Sequence, residues 1–272
     1  MTRLSKTLPE SLAITVHFAA ASVFFFSRAV SDFFFLGFVD QNFTGLFRRF
    51  GLTAAQGMLP YRDVHIEYPP LSALWFWMLA PLAGSEQLYT SAFTLGMVLV
   101  SIAGLTATLR IAGAVAPDGG GPGRTIAAGA LYTAGLIAVG PTCLISTDYL
   151  AVAFTSWAVV FLLRERYRVA MVLLAAGFAS KGYPVALLPL FVFEAWRWRG
   201  ARAALAGLGC FAAVCIALVG IPFAMAPEGV ARAFEVHAGR GIEKATLYGA
   251  AMMLLSNSGM EVPVLRGALG WN

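Results

Sequence analysis

Eight ionisable residues are candidates for chemistry: Asp40, Asp63, Glu67, Asp148, Lys181, His237, Arg240 and Glu243. Each borders apolar sequence in a chain with only 12% charged residues. Charge next to apolar spans is costly, and by default it marks a functional pathway. Asp40 precedes a helical pattern and is either its N-cap or a general base that takes a proton from a hydroxyl. Asp32 is a second candidate of the same kind. Asp148 begins an apolar run and is also a cap candidate, in competition with Ser146 and Thr147. Lys181 as a point charge and Arg240 as a planar fork suit a phosphate, although both residue types also snorkel at membrane surfaces. His237 is either a third phosphate contact or a loop histidine, whereas His17, inside an apolar span, reads as a hydrogen-bonded core residue.

The segment 31–68 carries the densest pattern. Phe43, Leu46, Phe47 and Phe50 recur at i, i+3, i+4 and i+7 with Arg48 and Arg49 off that face, which predicts an amphipathic helix over 41–56 lying on a membrane surface and ended by Gly57. Pro60 to Pro70 cannot be regular helix, because residues before proline are pushed to extended conformations. In an extended run Asp63, His65 and Glu67 alternate onto one side.

The elements that position these groups follow from composition. The 272 residues are 59% apolar with a net charge of +5 and a mean hydropathy of +0.75. A soluble fold of this size cannot bury so much apolar surface, which excludes a soluble enzyme, a nucleic-acid binder and a disordered chain. The expectation is an all-α, polytopic transmembrane helical bundle forming one domain over 1–272, with spans near 10–30, 87–109, 125–142, 148–163, 201–222 and 245–259. The N-terminal apolar run reads as a first membrane anchor. Cys143, Cys210 and Cys215 have no metal-ligand or disulfide spacing, and the sequence shows no metal cage, so no cofactor is expected. The basic clusters at Arg3/Lys6, Arg110/Arg124, Arg164/Arg166/Arg168 and Arg197/Arg199/Arg202 mark inner loops and leave 31–68, Asp148 and 227–244 outside. Crossing parity then makes 69–83 a short re-entrant or interfacial helix, or part of one irregular passage with 87–109. It also makes 169–195 a helical hairpin with Lys181 near its tip, the alternative being one kinked span.

The run from Gly57 through Pro60-Tyr61-Arg62-Asp63 to Glu67-Tyr68-Pro69-Pro70-Leu71 resembles the signature of glycosyltransferase family 87. These are GT-C-class membrane mannosyltransferases that use polyprenyl-phosphate sugars. Thr147-Asp148-Tyr149-Leu150, Ala179-Ser180-Lys181-Gly182-Tyr183-Pro184 and His237-Ala-Gly-Arg240-Gly241-Ile242-Glu243 are similar to three further family stretches, in the same order. The resemblance covers about residues 30–255, and family members are longer, so it implies a fragment or a shortened member. It implies a GT-C bundle in the cell (inner) membrane and transfer of a hexose, mannose in that family's chemistry, to a glycolipid, glycan or protein hydroxyl on the extracytoplasmic face. Asp40 would be the base, with Arg62, Asp63, Glu67, Tyr68, Asp148, Lys181, Tyr183, His237, Arg240 and Glu243 binding substrate. Helix 43–50 and Trp75-Phe76-Trp77 would line a groove for the isoprenoid chain. The contrasting class is a translocator of lipid-linked sugars, which should carry its polar groups at the bilayer midplane.

Overall fold

The computed structural model describes residues 4–30, 42–116, 121–139, 144–238, 254–255 and 258. Their regular structure is helical: α1 Leu4–Val30, α2 Asn42–Ala55, α3 Pro70–Met78, α4 Glu86–Ala114, α5 Pro122–Val139, α6 Asp148–Leu163, α7 Tyr167–Ser180, α8 Leu188–Arg199, α9 Ala201–Cys215, α10 Ile221–Met225 and α11 Pro227–Ala238. A π-helical turn, Ile216–Gly220, joins α9 to α10, so 201–225 forms one helical rod. Two helices, Glu86–Ala114 and Ala201–Met225, are long and apolar enough to cross a membrane. Only 17% of the most apolar stretch of the second is buried, and Leu205, Ile216 and Ile221 face outward from it. The core helix of a soluble protein would hide those side chains.

The long helices alternate in direction. Ala13 of α1 packs on Leu109 and Gly129, and His17, one turn on, meets Ser101 and Thr133. Helices α1 and α5 therefore run together, against α4. α6 packs on α4, with Trp157 Nε1 donating to the Ala103 carbonyl at 3.0 Å, and turns back into α7. That turn is closed by Glu165 N–H to the Leu162 carbonyl at 2.9 Å and Arg166 N–H to the Phe161 carbonyl at 2.9 Å. Glu165, at φ 55°, takes the left-handed place usually filled by glycine in this helix-ending motif. At the far tip of α7, Lys181 adopts an extended backbone, a short 3₁₀ stretch over Tyr183–Leu187 follows, and α8 returns. Tyr167, Ala195 and Ala204 meet at the other end, which makes α7–α8 the hairpin expected from its basic flanks.

Arg110, Arg124, Arg164, Arg166, Arg168, Arg197, Arg199 and Arg202 thus gather at one end of the bundle. At the opposite end α2, α3 and the loop between them cap the helices. α3 is only nine residues long and is followed by a 3₁₀ turn, Ala80–Leu82, so 69–83 stays at that end.

The expected surface helix is corrected here. Phe47 and Phe50 are buried, and they stack on Phe76 at 4.5 and 5.7 Å between centroids. Phe93 and Tyr68 complete the aromatic cluster. An amphipathic face does not say whether lipid or protein covers it; here protein does. Phe76 is fully buried and Trp75 lies against Gly96 with its indole N–H inside, so these aromatics form core rather than a lipid groove. His17 is the hydrogen-bonded core residue expected, at 3.1 Å from both Ser101 Oγ and Thr133 Oγ1.

Candidate active site

The loop end brings together two of the predicted groups, Asp148 and Lys181, from distant sequence. Asp148 is the first residue of α6, with Thr147 at the cap position and Ser146 Oγ accepting the Asp148 N–H at 3.3 Å. Lys181 follows the last residue of α7. Because α6 and α7 are antiparallel, a helix N-terminus and a helix C-terminus lie side by side. Each carries the charge its dipole favours, and Lys181 Nζ bonds Asp148 Oδ1. Both side chains remain about half exposed, at 49% and 53%.

The hairpin tip is tied to α3, directly after the Pro60–Pro70 loop, by a buried hydrogen bond: Ser72 Oγ donates to the Ser180 carbonyl at 2.8 Å. Ser72 is fully buried at the start of α3, and Ser180 Oγ bonds back to the Ala176 carbonyl at 2.9 Å. Tyr61, Ile66 and Leu150 share one apolar cluster, against which Tyr68 and Tyr149 pack, so the loop and the start of α6 form one surface. Sequence reasoning missed Ser72 and the role of Ser180. Ser180 stood beside Lys181 in the Ala179–Pro184 stretch, but nothing in sequence links it to Ser72.

The loop is not the extended run expected. It makes a tight turn at Tyr61-Arg62-Asp63, closed by Tyr61 N–H to the Val64 carbonyl at 3.0 Å and Asp63 N–H to the Leu59 carbonyl at 3.0 Å. Tyr61 sits at φ 66°, sparsely populated for a residue with a side chain, and it is buried. Its hydroxyl donates to the Tyr68 carbonyl at 2.6 Å, bracing the two limbs of the loop. Such strain persists only where the surroundings over-determine it, and it clusters at functional sites. The turn breaks the alternation, so Asp63 does not share a side with Glu67 by extended register. Instead, Arg62 grips Asp63 with two bonds of 2.8 Å, and Asp63 Oδ2 accepts the Leu59 N–H at 2.9 Å. The Arg62 bond, then the Leu59 bond, hold the carboxyl at about 2, below its usual 3.8.

Glu67 is half-buried, Tyr183 is half exposed beside Lys181, and Tyr68 is packed among Phe47, Phe50 and Phe76. The His237 backbone lies in the last turn of α11. Asp40, Asp32, Arg240, Glu243, Cys143 and most of span 245–259 lie outside the described residues. α11 packs on the same surface: a Cβ on Gly229 would stand 1.8 Å from the Tyr61 carbonyl oxygen, so only glycine permits the approach. Among the described residues, no group of three or more His, Cys, Asp or Glu is placed to share a metal ion.

Chemically, the Lys181 ammonium has three N–H donors and Asp148 takes one. The others are available to an oxyanion at the bundle surface. Comparison of the chain with protein-family models, curated proteins and solved structures finds no match.

Proposed function

We propose that the chain is a GT-C-type membrane glycosyltransferase. It moves a hexose, mannose on the resemblance, from a polyprenyl-phosphate donor to an acceptor hydroxyl on the extracytoplasmic face of the cell membrane. One observation carries the reading: the Lys181–Asp148 pair is tied through Ser180 and Ser72 to α3, directly after the Pro60–Pro70 loop, at the end of the bundle opposite the arginines. A carrier would instead place charge at mid-bundle, where, among the described residues, His17 bonds the hydroxyls of Ser101 and Thr133.

Asp40 takes the proton of the acceptor hydroxyl as that oxygen bonds the anomeric carbon. The bond from this carbon to the phosphate oxygen breaks, and the negative charge leaves with the polyprenyl phosphate. A single displacement inverts the anomeric carbon. Lys181 stabilises the departing oxyanion, with Arg240 and His237 as further contacts. Asp148 keeps the ammonium aimed before the donor arrives. Asp63, held at about 2 by Arg62, is a weak base and serves to shape the loop, while Glu67 and Tyr183 orient sugar.

The test is transfer from polyprenyl-phosphate mannose in reconstituted membranes, against a panel of donor sugars and acceptors. Asp40→Asn is expected to abolish transfer while the protein stays folded. Full activity in that variant removes Asp40 as the base, and no transfer from any donor by the native chain removes the reading.

A further inference from the structure

The bundle's other end carries a cavity of about 590 Å³ between the α6–α7 turn and the α8–α9 corner. It is lined chiefly by Glu165, Arg166, Tyr167, Arg168, Arg199 and Arg202. Glu165 is committed to Arg199: its Oε2 accepts from Nε at 2.9 Å and from Nη2 at 2.6 Å. Arg166, Arg168 and Arg202 form no ion pair among the described residues, so four positive charges less one face a single hollow. The first turns of α7, through Tyr167, Arg168 and Val169, and of α9, through Arg202 and Ala203, line it.

We propose that this cavity is a second binding site, a cradle for the phosphate of an acidic phospholipid headgroup. The arginines alone would also suit free phosphate, but the surroundings favour a lipid. Trp196 and Trp198, in the last turn of α8 beside Arg199, are 57% and 61% exposed, as aromatic rings at a membrane–water boundary are. Arginine pockets between helices on the membrane's inner side recognise such headgroups through forked bonds to phosphate. The site rests on the membrane placement proposed above but not on sugar transfer.

The experiment uses the full chain in neutral detergent and follows Tm against short-chain phosphatidylglycerol, phosphatidylcholine of the same chain length, and inorganic phosphate. Phosphatidylglycerol alone is expected to raise Tm. Arg166→Gln with Arg202→Gln should raise its half-saturating concentration on the order of thirtyfold. Arg166→Lys with Arg202→Lys keeps the charge and should retain most of the response, which covers the case in which the glutamine pair fails to fold. An equal rise with phosphatidylcholine, an equal rise with inorganic phosphate, or an undiminished response in the glutamine pair would each overturn the lipid site. Loss of sugar transfer in the native chain leaves these outcomes unaffected.

Discussion

Lys181 and Asp148 are paired but half exposed, so water screens much of their attraction. Lys181→Met is therefore expected to change unfolding stability by no more than about 1 kcal/mol. If Lys181 holds the leaving phosphate, the same variant should lower the transfer rate by about 10²–10³-fold. Thermal unfolding and the transfer assay on one preparation separate the two effects. Asp63 behaves differently. Its folded pKa, about 2, lies below the ordinary 3.8, so its contribution is present above the higher value and is lost as pH falls through the lower. Protection of the Leu59 amide against hydrogen exchange should accordingly fall between about pH 4 and 2, and Asp63→Asn should abolish that pH dependence. Lys181 was legible as a hairpin tip because both flanks of its segment are basic. The Arg62–Asp63 clasp was not, since it depends on Tyr61 adopting a left-handed backbone that nothing about tyrosine foretells.

At the level of elements, the loop and α11 meet where Gly229 touches the Tyr61 backbone. Gly229→Ala must push α11 away, because the obstructing atoms are backbone and cannot swing aside. The expected cost is about 1–3 kcal/mol in denaturant unfolding. Gly45 in α2 has nothing within 4 Å of an added Cβ, so Gly45→Ala should stabilise by about 0.5–1 kcal/mol. Opposite signs in two glycine-to-alanine changes would identify contact, rather than helix propensity, as the cause. The short α3 could be read in advance from Pro69-Pro70 and a run of about 22 Å at 1.5 Å per residue, too little to cross. The partner of α2 could not. Its apolar residues at i, i+3, i+4 and i+7 fit a lipid surface and the Phe76–Phe93 face equally well, and periodicity carries no information about which is nearer.

For the whole molecule, the alternating helices put the Pro60–Pro70 loop and the arginines at opposite ends. With Cys143, Cys210 and Cys215 replaced by serine, a single cysteine at Asp63 and one at Glu165 should react with a membrane-impermeant maleimide from opposite sides of sealed vesicles. Reaction from the same side would break the proposed orientation. The bundle's alternation was legible because charge sorts loops, while the contact between α3 and the α7 tip lay beyond reach, since it joins residues 108 positions apart. That contact has a mechanical consequence. The Ser72–Ser180 bond is buried, whereas the neighbouring Lys181–Asp148 pair is exposed, so the first resists exchange with water and the second does not. If a donor draws the ammonium away from Asp148, the lysine's flexible stem can swing while the Ser72–Ser180 bond holds the tip of α7 against α3. The charge would then pivot on a fixed base, so that the separation of the 148 and 181 side chains widens while that between 72 and 180 stays constant.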